Sequence, residues 1–234
     1  MNPAAVRSAA ARIAGRVHHT PVHTSATLDG RTGAQVLVKD EAVQKTGSFK
    51  ARGALNRLLT LPEEARERGL VAVTAGNHGA AVAWAAAQVG AKATVVMPTY
   101  SPAAKVAACW SYGAEVVLHG DTTTEAFAEC ERLQAERGLT FVHPFDDPEI
   151  VAGQGTVGLE LVDEVVLLSE AEILAGVRFV MERMKVVVEP AGAATIAALL
   201  AGRAGDLTGR RVGTVLTGGN VDLGVVVPQL PPAE

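Results

Sequence analysis

The sequence is short of aromatic residues, which make up 4% of its 234 positions, and it holds only two cysteines. A core without large rings has to be built from small and branched aliphatic side chains at close backbone approach. Alanine and glycine are abundant enough to supply it. Cys109 and Cys130 are too few and too widely spaced for a metal cluster or a disulfide framework, so both are expected to pack inside helices. His19 and His23 stand four apart, but Pro21 between them prevents the helix that would put both on one face, and no metal site is expected. An excess of basic charge is also lacking. A net charge of -4 leaves no field to neutralise phosphates, which excludes nucleic acid as the partner and favours a small molecule. No uncharged apolar run reaches the about 18 residues a membrane span needs. Arg7, Arg12 and Arg16 break up the N-terminal segment, so no signal peptide and no membrane partner are expected, and the expected compartment is cytoplasmic.

What the sequence does contain is alternation. An amphipathic opening (Ala4 to Val17) gives way to short apolar runs separated by helical patterns. The runs Val36 to Val38, Leu70 to Val73, Ala93 to Met97, Glu115 to Leu118 and Thr140 to Val142 are rich in β-branched residues and too short for helices. Between them, Ser48 to Leu61, Asn77 to Val89, Pro102 to Tyr112 and Thr123 to Arg137 read as helices. The order implies an α/β fold with open parallel sheets covered by helices on both faces. Gly90 and Gly113 stand where helices should end in a left-handed residue. Further on, Val165 to Leu168 reads as a strand. Ser169 to Met184 reads as a helix capped by Ser169 with Glu172 as its reciprocal partner, and Glu189-Pro190 opens a helix running to about Ala201. A last strand, Val212 to Leu216, leads into Thr217-Gly218-Gly219-Asn220.

Three segments carry chemistry. In Gln44-Lys-Thr-Gly-Ser-Phe-Lys50, Thr46 or Ser48 can cap the following helix, placing Lys50 in its first turn, where the positive end of the dipole disfavours an ammonium. A partly deprotonated lysine can attack an aldehyde carbon and form a Schiff base. Most lysines are solvated surface groups. Here there are six lysines against fifteen arginines, and Thr-Gly-Ser-Phe is more than a surface helix requires. The second segment, Thr74-Ala75-Gly76-Asn77-His78, joins a strand to an alanine-rich helix, and free N–H groups at such a start can hold a carboxylate or phosphate. Taken alone, the segment reads first as a helix cap made by Asn77. The third is Thr217, whose hydroxyl follows the last strand. Ligands of open α/β sheets bind outside the carboxyl ends of strands, where all three segments should lie.

In this order the three segments, with His143-Pro-Phe-Asp-Asp-Pro148 and Gly153-Gln-Gly-Thr156, resemble the pyridoxal-phosphate enzymes of the tryptophan-synthase β fold, most closely the serine/threonine dehydratase and serine racemase branch. The resemblance implies a two-domain fold, with residues 1–47 and 144–234 forming a large cofactor domain and 48–143 a small domain. It also implies pyridoxal 5'-phosphate as cofactor, an amino acid as substrate and a homodimer as assembly. Lys50 would hold the cofactor and act as the catalytic base. Phe49 would pack against the ring, Asn77 would hydrogen-bond its phenolic oxygen and Thr217 would meet its nitrogen. Thr74, Ala75, Gly76, Asn77 and His78 would receive the substrate carboxylate. The implied reaction is β-elimination from L-threonine or L-serine to a 2-oxo acid and ammonia, with 3-hydroxyaspartate as an alternative substrate. Racemases of the branch carry serine where Ala75 stands, so the resemblance favours a dehydratase.

The pattern is incomplete. Between Leu161 and Val162 the family has a strand, a glycine run that cradles the cofactor phosphate, and further strand-helix units, none of which is in this sequence. The join has no turn residues, unlike an evolved connection, and reads as a stretch left out of a longer enzyme. If the deletion is instead real, a non-catalytic remnant of the fold is the competing expectation. Nothing after Gln229 resembles the regulatory domain of biosynthetic threonine dehydratases. Isoleucine is therefore expected to leave the rate unchanged, and a sigmoidal rate curve relieved by removing isoleucine would contradict this.

Overall fold

A computed structural model describes residues 3–157 and 168–232. The expected strand over 165–168, except for its last residue, and the join at 161–162 lie outside the described residues. In chain order the elements begin with α1 (Pro3–Ile13), β1 (Val22–His23), α2 (Ala26–Thr32), β2 (Gln35–Asp40), α3 (Lys50–Thr60), α4 (Glu63–Arg68), β3 (Leu70–Val73) and α5 (Asn77–Val89). There follow β4 (Ala93–Met97), α6 (Ala103–Ser111), β5 (Glu115–Leu118), α7 (Thr123–Arg137), β6 (Thr140–Phe141) and α8 (Pro148–Gly155). The last are α9 (Glu170–Phe179), α10 (Pro190–Leu200), β7 (Arg211–Leu216) and α11 (Leu223–Val226). The chain divides into two compact units, Met1–His18 with Phe49–Leu159, and His19–Ser48 with Glu160–Glu234.

The first unit is built on four parallel strands in the order β5-β4-β3-β6. Strand side chains alternate between faces, and this decides which helices cover them. Leu70, Ala72, Val95 and Met97 join the core made with α3, α5 and α6. Val71, Val73 and Val96 join a separate core with Ala126, Cys130 and Leu133 of α7. Both faces are therefore covered, as the continuous apolar runs require. Cys109 and Cys130 are buried in these cores, and burial pushes their thiols up to about 11 and about 12.

The second unit carries the sheet β1-β2-β7. β2 and β7 pair in parallel from Gln35↔Arg211 to Asp40↔Leu216. β1 is antiparallel to β2 and has no counterpart in the sequence reading, because two residues leave no period to detect. Leu28, Val36, Val38, Val177, Val188, Ile196 and Leu216 form its core.

Where the sequence specified caps, the structure follows. Ser169 and Glu172 make both bonds of the reciprocal cap at α9, which ends in a π-helical turn over Val180–Met184. Gly90 ends α5 at φ 69°, and Gly113 is left-handed just past α6. The opening helix stops at Ile13 rather than Val17, with Gly15 left-handed shortly beyond it. Helices α2, α4 and α8 were not anticipated, being six to eight residues long. Their signals are terminal ones: Ser25 and Gly33 cap α2, and Asp147 with Pro148 starts α8.

Helix α8, which the sequence division places with the 144–234 part, packs on α3 in the first unit. A Cβ on Gly153 would lie 2.7 Å from the Arg52 carbonyl oxygen and 2.7 Å from the Gly53 Cα, and one on Gly53 would lie 2.8 Å from the Ile150 carbonyl oxygen. The two helices therefore cross backbone to backbone. Gly153→Ala should destabilise the protein by about 1 to 3 kcal/mol through overpacking, read as a lowered urea midpoint with unchanged slope. An unchanged midpoint would show that the crossing tolerates a methyl group.

Candidate active site

Lys50 is the first residue of α3, in the turn where the sequence reading put it, but neither Thr46 nor Ser48 caps the helix. The N-cap is Phe49 in helical conformation with no side-chain bond. Thr46 is left-handed at φ 62°, which turns its side chain out of capping position. The Lys50 amine is half-buried and donates to the Pro144 carbonyl oxygen at 2.9 Å. It stands 5.2 Å from the Phe49 ring centroid. Burial holds it below the usual lysine range, because taking an ammonium out of water costs free energy. Desolvation is thus a cause of lowered basicity that the sequence reading, which invoked the helix dipole, did not name.

The 74–78 segment lies in the same unit. Thr74 Oγ1 accepts from the Gly76 N–H at 2.8 Å, which folds the turn between β3 and α5. Gly76 is the N-cap of α5, so Asn77 is the first residue of the helix and the reading of Asn77 as its cap is corrected. In front of Gly76 the space is open. Within 4 Å of where a Cβ would sit, the single group is the Lys105 amine at 3.7 Å. Ala75 is half-buried beside it. His78 is buried, with Nε2 at 2.9 Å from the Val142 carbonyl oxygen and Nδ1 without a partner. Burial pushes its pKa down to about 4 against the carbonyl bond, with Lys50 and His143 acting in the same direction as burial. The imidazole is neutral at ordinary pH, so it adds no charge beside Lys50.

Thr217 belongs to the second unit, at the end of β7, half-buried, with its N–H 3.4 Å from the Gly192 carbonyl oxygen. Its loop is tied to the segment before Phe49. Asn220 Nδ2 donates to the Thr46 carbonyl oxygen at 2.7 Å, the Gly219 N–H donates to Gly47 at 3.0 Å, and Ser48 bridges Gly218. The Thr46 and Ser48 hydroxyls are buried without partners.

Three residues near Lys50 or Gly76 had no role in the sequence reading: Lys105, His143 and Pro144. The last two stand in the 143–148 phrase, whose unusual content was the only available signal.

Residues 13–165 match the family model described as pyridoxal-phosphate dependent enzyme. The chain belongs to that family. It is 33% identical to an L-threonine ammonia-lyase of Thermotoga maritima, in a match covering 90% of this chain and 73% of the relative. It is 34% identical to an L-threo-3-hydroxyaspartate ammonia-lyase of a Pseudomonas species, over 93% of this chain and 95% of the relative. Among solved structures it resembles maize serine racemase, with a TM-score of 0.90 at 27% identity over 97% of this chain and 95% of that one. The first match runs over 295 residues, more than the 234 of this chain, so the relative carries residues inside the matched stretch that this chain lacks.

The family's cofactor is pyridoxal 5'-phosphate. Its aldehyde and ring fit the residues present: a half-buried amine of lowered basicity, an aromatic ring beside it and an open helix N-terminus. Among the described residues no helix is long and apolar enough to cross a membrane.

Because the folded-state pKa of His78 lies below its unfolded value of 6.5, the unfolded chain binds more protons between these values and stability falls as pH drops. Stability should be full above pH 6.5 and decline toward pH 4. His78→Asn should flatten that slope in urea unfolding followed across the window. An equal slope in the variant would refute the assignment to His78.

Proposed function

We propose that the chain is an ammonia-lyase for L-threonine or L-serine, removing the α-proton and the β-hydroxyl to leave a 2-oxo acid and ammonia. The observation that carries this reading is the Lys50 amine, desolvated and held at 2.9 Å by the Pro144 carbonyl. A nucleophilic or basic amine has to be uncharged, and burial shifts the Lys50 amine in that direction. Pyridoxal phosphate supplies the electron sink that acidifies the substrate's α-carbon. Lys50 would hold the cofactor, and its amine would be the base for the substrate's α-proton. By the family resemblance Phe49 would pack against the cofactor ring, Asn77 would bond its phenolic oxygen and Thr217 would offer its nitrogen a neutral hydroxyl. Thr74, Ala75, Gly76, Asn77 and His78 would bind the substrate carboxylate at the start of α5, where the positive end of the helix dipole favours an anion. Ala75 carries no hydroxyl to return a proton to the opposite face, which supports elimination over racemisation. The reading includes a homodimer in the cytoplasm.

A second reading, a 3-hydroxyaspartate ammonia-lyase, is favoured by Lys105, whose amine stands over Gly76 where a second carboxylate could meet it. Comparing ammonia release from L-threonine, L-serine and L-threo-3-hydroxyaspartate separates the two. With added pyridoxal phosphate the chain should show a visible absorption band that is lost in Lys50→Ala, and turnover should fall at least about a hundredfold with it. Absence of the band in the unaltered chain would sink the enzyme reading and leave a non-catalytic remnant.

A further inference from the structure

His143 follows β6 and opens the turn that carries Pro144. Its Nδ1 accepts from two backbone N–H groups, Phe145 at 3.2 Å and Asp146 at 2.7 Å. A ring nitrogen that accepts backbone N–H groups does so through its lone pair, so Nδ1 serves the turn as an acceptor. The ring is fixed edge-on between Phe141, with centroids 5.6 Å apart, and Phe145, at 4.6 Å. Phe141 is itself braced edge-on by Phe127 of α7 at 5.6 Å. The following residue offers its carbonyl to the Lys50 amine.

Turns closed by a side chain onto the N–H groups two and three residues ahead are ordinarily built with Asp, Asn, Ser or Thr. A carboxylate in this place would bring negative charge toward Lys50 and favour its ammonium. Of the two acids in the turn, Asp146 is exposed, and Asp147 is engaged by Arg57 Nε at 2.7 Å and by the first N–H groups of α8. The histidine thus gives the turn its acceptor without giving the amine a counter-charge.

We infer that His143 is a positioning residue for Lys50, an acceptor without negative charge that shapes the 143–146 turn so that the Pro144 carbonyl orients the amine and position 143 itself adds no anion beside it. This rests on Lys50 being the reactive amine of the proposed function and adds a residue that touches neither substrate nor cofactor.

The test is a series at position 143 read in two ways. The first is the rate of Lys50 acylation by acetic anhydride at one pH, followed by peptide mass with exposed Lys92 as internal reference, which reads the free amine whether or not a cofactor binds. His143→Asn should label within about twofold of the unaltered protein, and His143→Asp about tenfold more slowly, since an opposite charge nearby favours the ammonium. A merely structural turn would treat the two alike, as both close it. The second reading is cofactor attached to Lys50 after borohydride reduction. His143→Ala should bind pyridoxal phosphate about threefold to tenfold more weakly, the worth of one hydrogen bond, with Asn restoring it. Equal labelling of the Asp and Asn variants would overturn the inference, as would an Ala variant that holds cofactor as tightly as the Asn variant. Should Ala fail to fold, the Asp and Asn comparison decides alone. If no cofactor attaches to the unaltered protein, the proposed function fails while the acylation rates still judge His143.

Discussion

The first unit depends on the crossing of α3 and α8 through Gly53 and Gly153. Helix α3 begins at Lys50, and α8 begins just after the turn that holds Pro144. Backbone contact between the helices therefore fixes the distance between the amine and the carbonyl that orients it. Any Cβ at the crossing would push the helices apart and carry Lys50 with them. Polar bonds reinforce the contact. Buried Asn56 of α3 donates to the Glu149 carbonyl and carboxylate at 2.7 and 2.9 Å, and Arg12 of α1 reaches Glu149 at 3.1 Å. Asn56 is fully buried, so these bonds satisfy amide groups that would be costly to leave bare.

Beside Lys50, His78 is held neutral by burial, while the Pro144 oxygen is a dipole and not an anion. Desolvation then acts unopposed on the amine. In the second unit the strained Thr46 serves a different purpose. Its left-handed backbone presents a carbonyl to Asn220, joining the loop after β7 to the loop before Phe49. Glycine at 47 is required there twice over, by its own positive φ of 69° and by the closeness of the Asn220 side chain.

Much of this was legible in the residues. Leu70–Val73, Ala93–Met97 and Glu115–Leu118 have the strand bounds expected of them, and Asn77–Val89 and Thr123–Arg137 the helix bounds, because each is a long or uniformly β-branched run between clear stops. Lys50 stood out through the phrase around it. What escaped was short or depended on distant partners. Two-residue β1 has no period, α8 is carried by a Pro148 start and a glycine contact, and the capping role given to Thr46 or Ser48 failed because a positive φ cannot be read from a threonine.

By itself the sequence determined the alternation of strands and helices, the reactive lysine and the family to which such a phrase belongs, since these rest on local pattern and residue chemistry. Only the tertiary structure decided why the lysine is poorly basic. That property comes from burial, and the groups found beside the amine, the Pro144 carbonyl and, within electrostatic reach, His78, lie 28 or more positions away along the chain. Burial is a sum over neighbours in space, and no window of the sequence contains them.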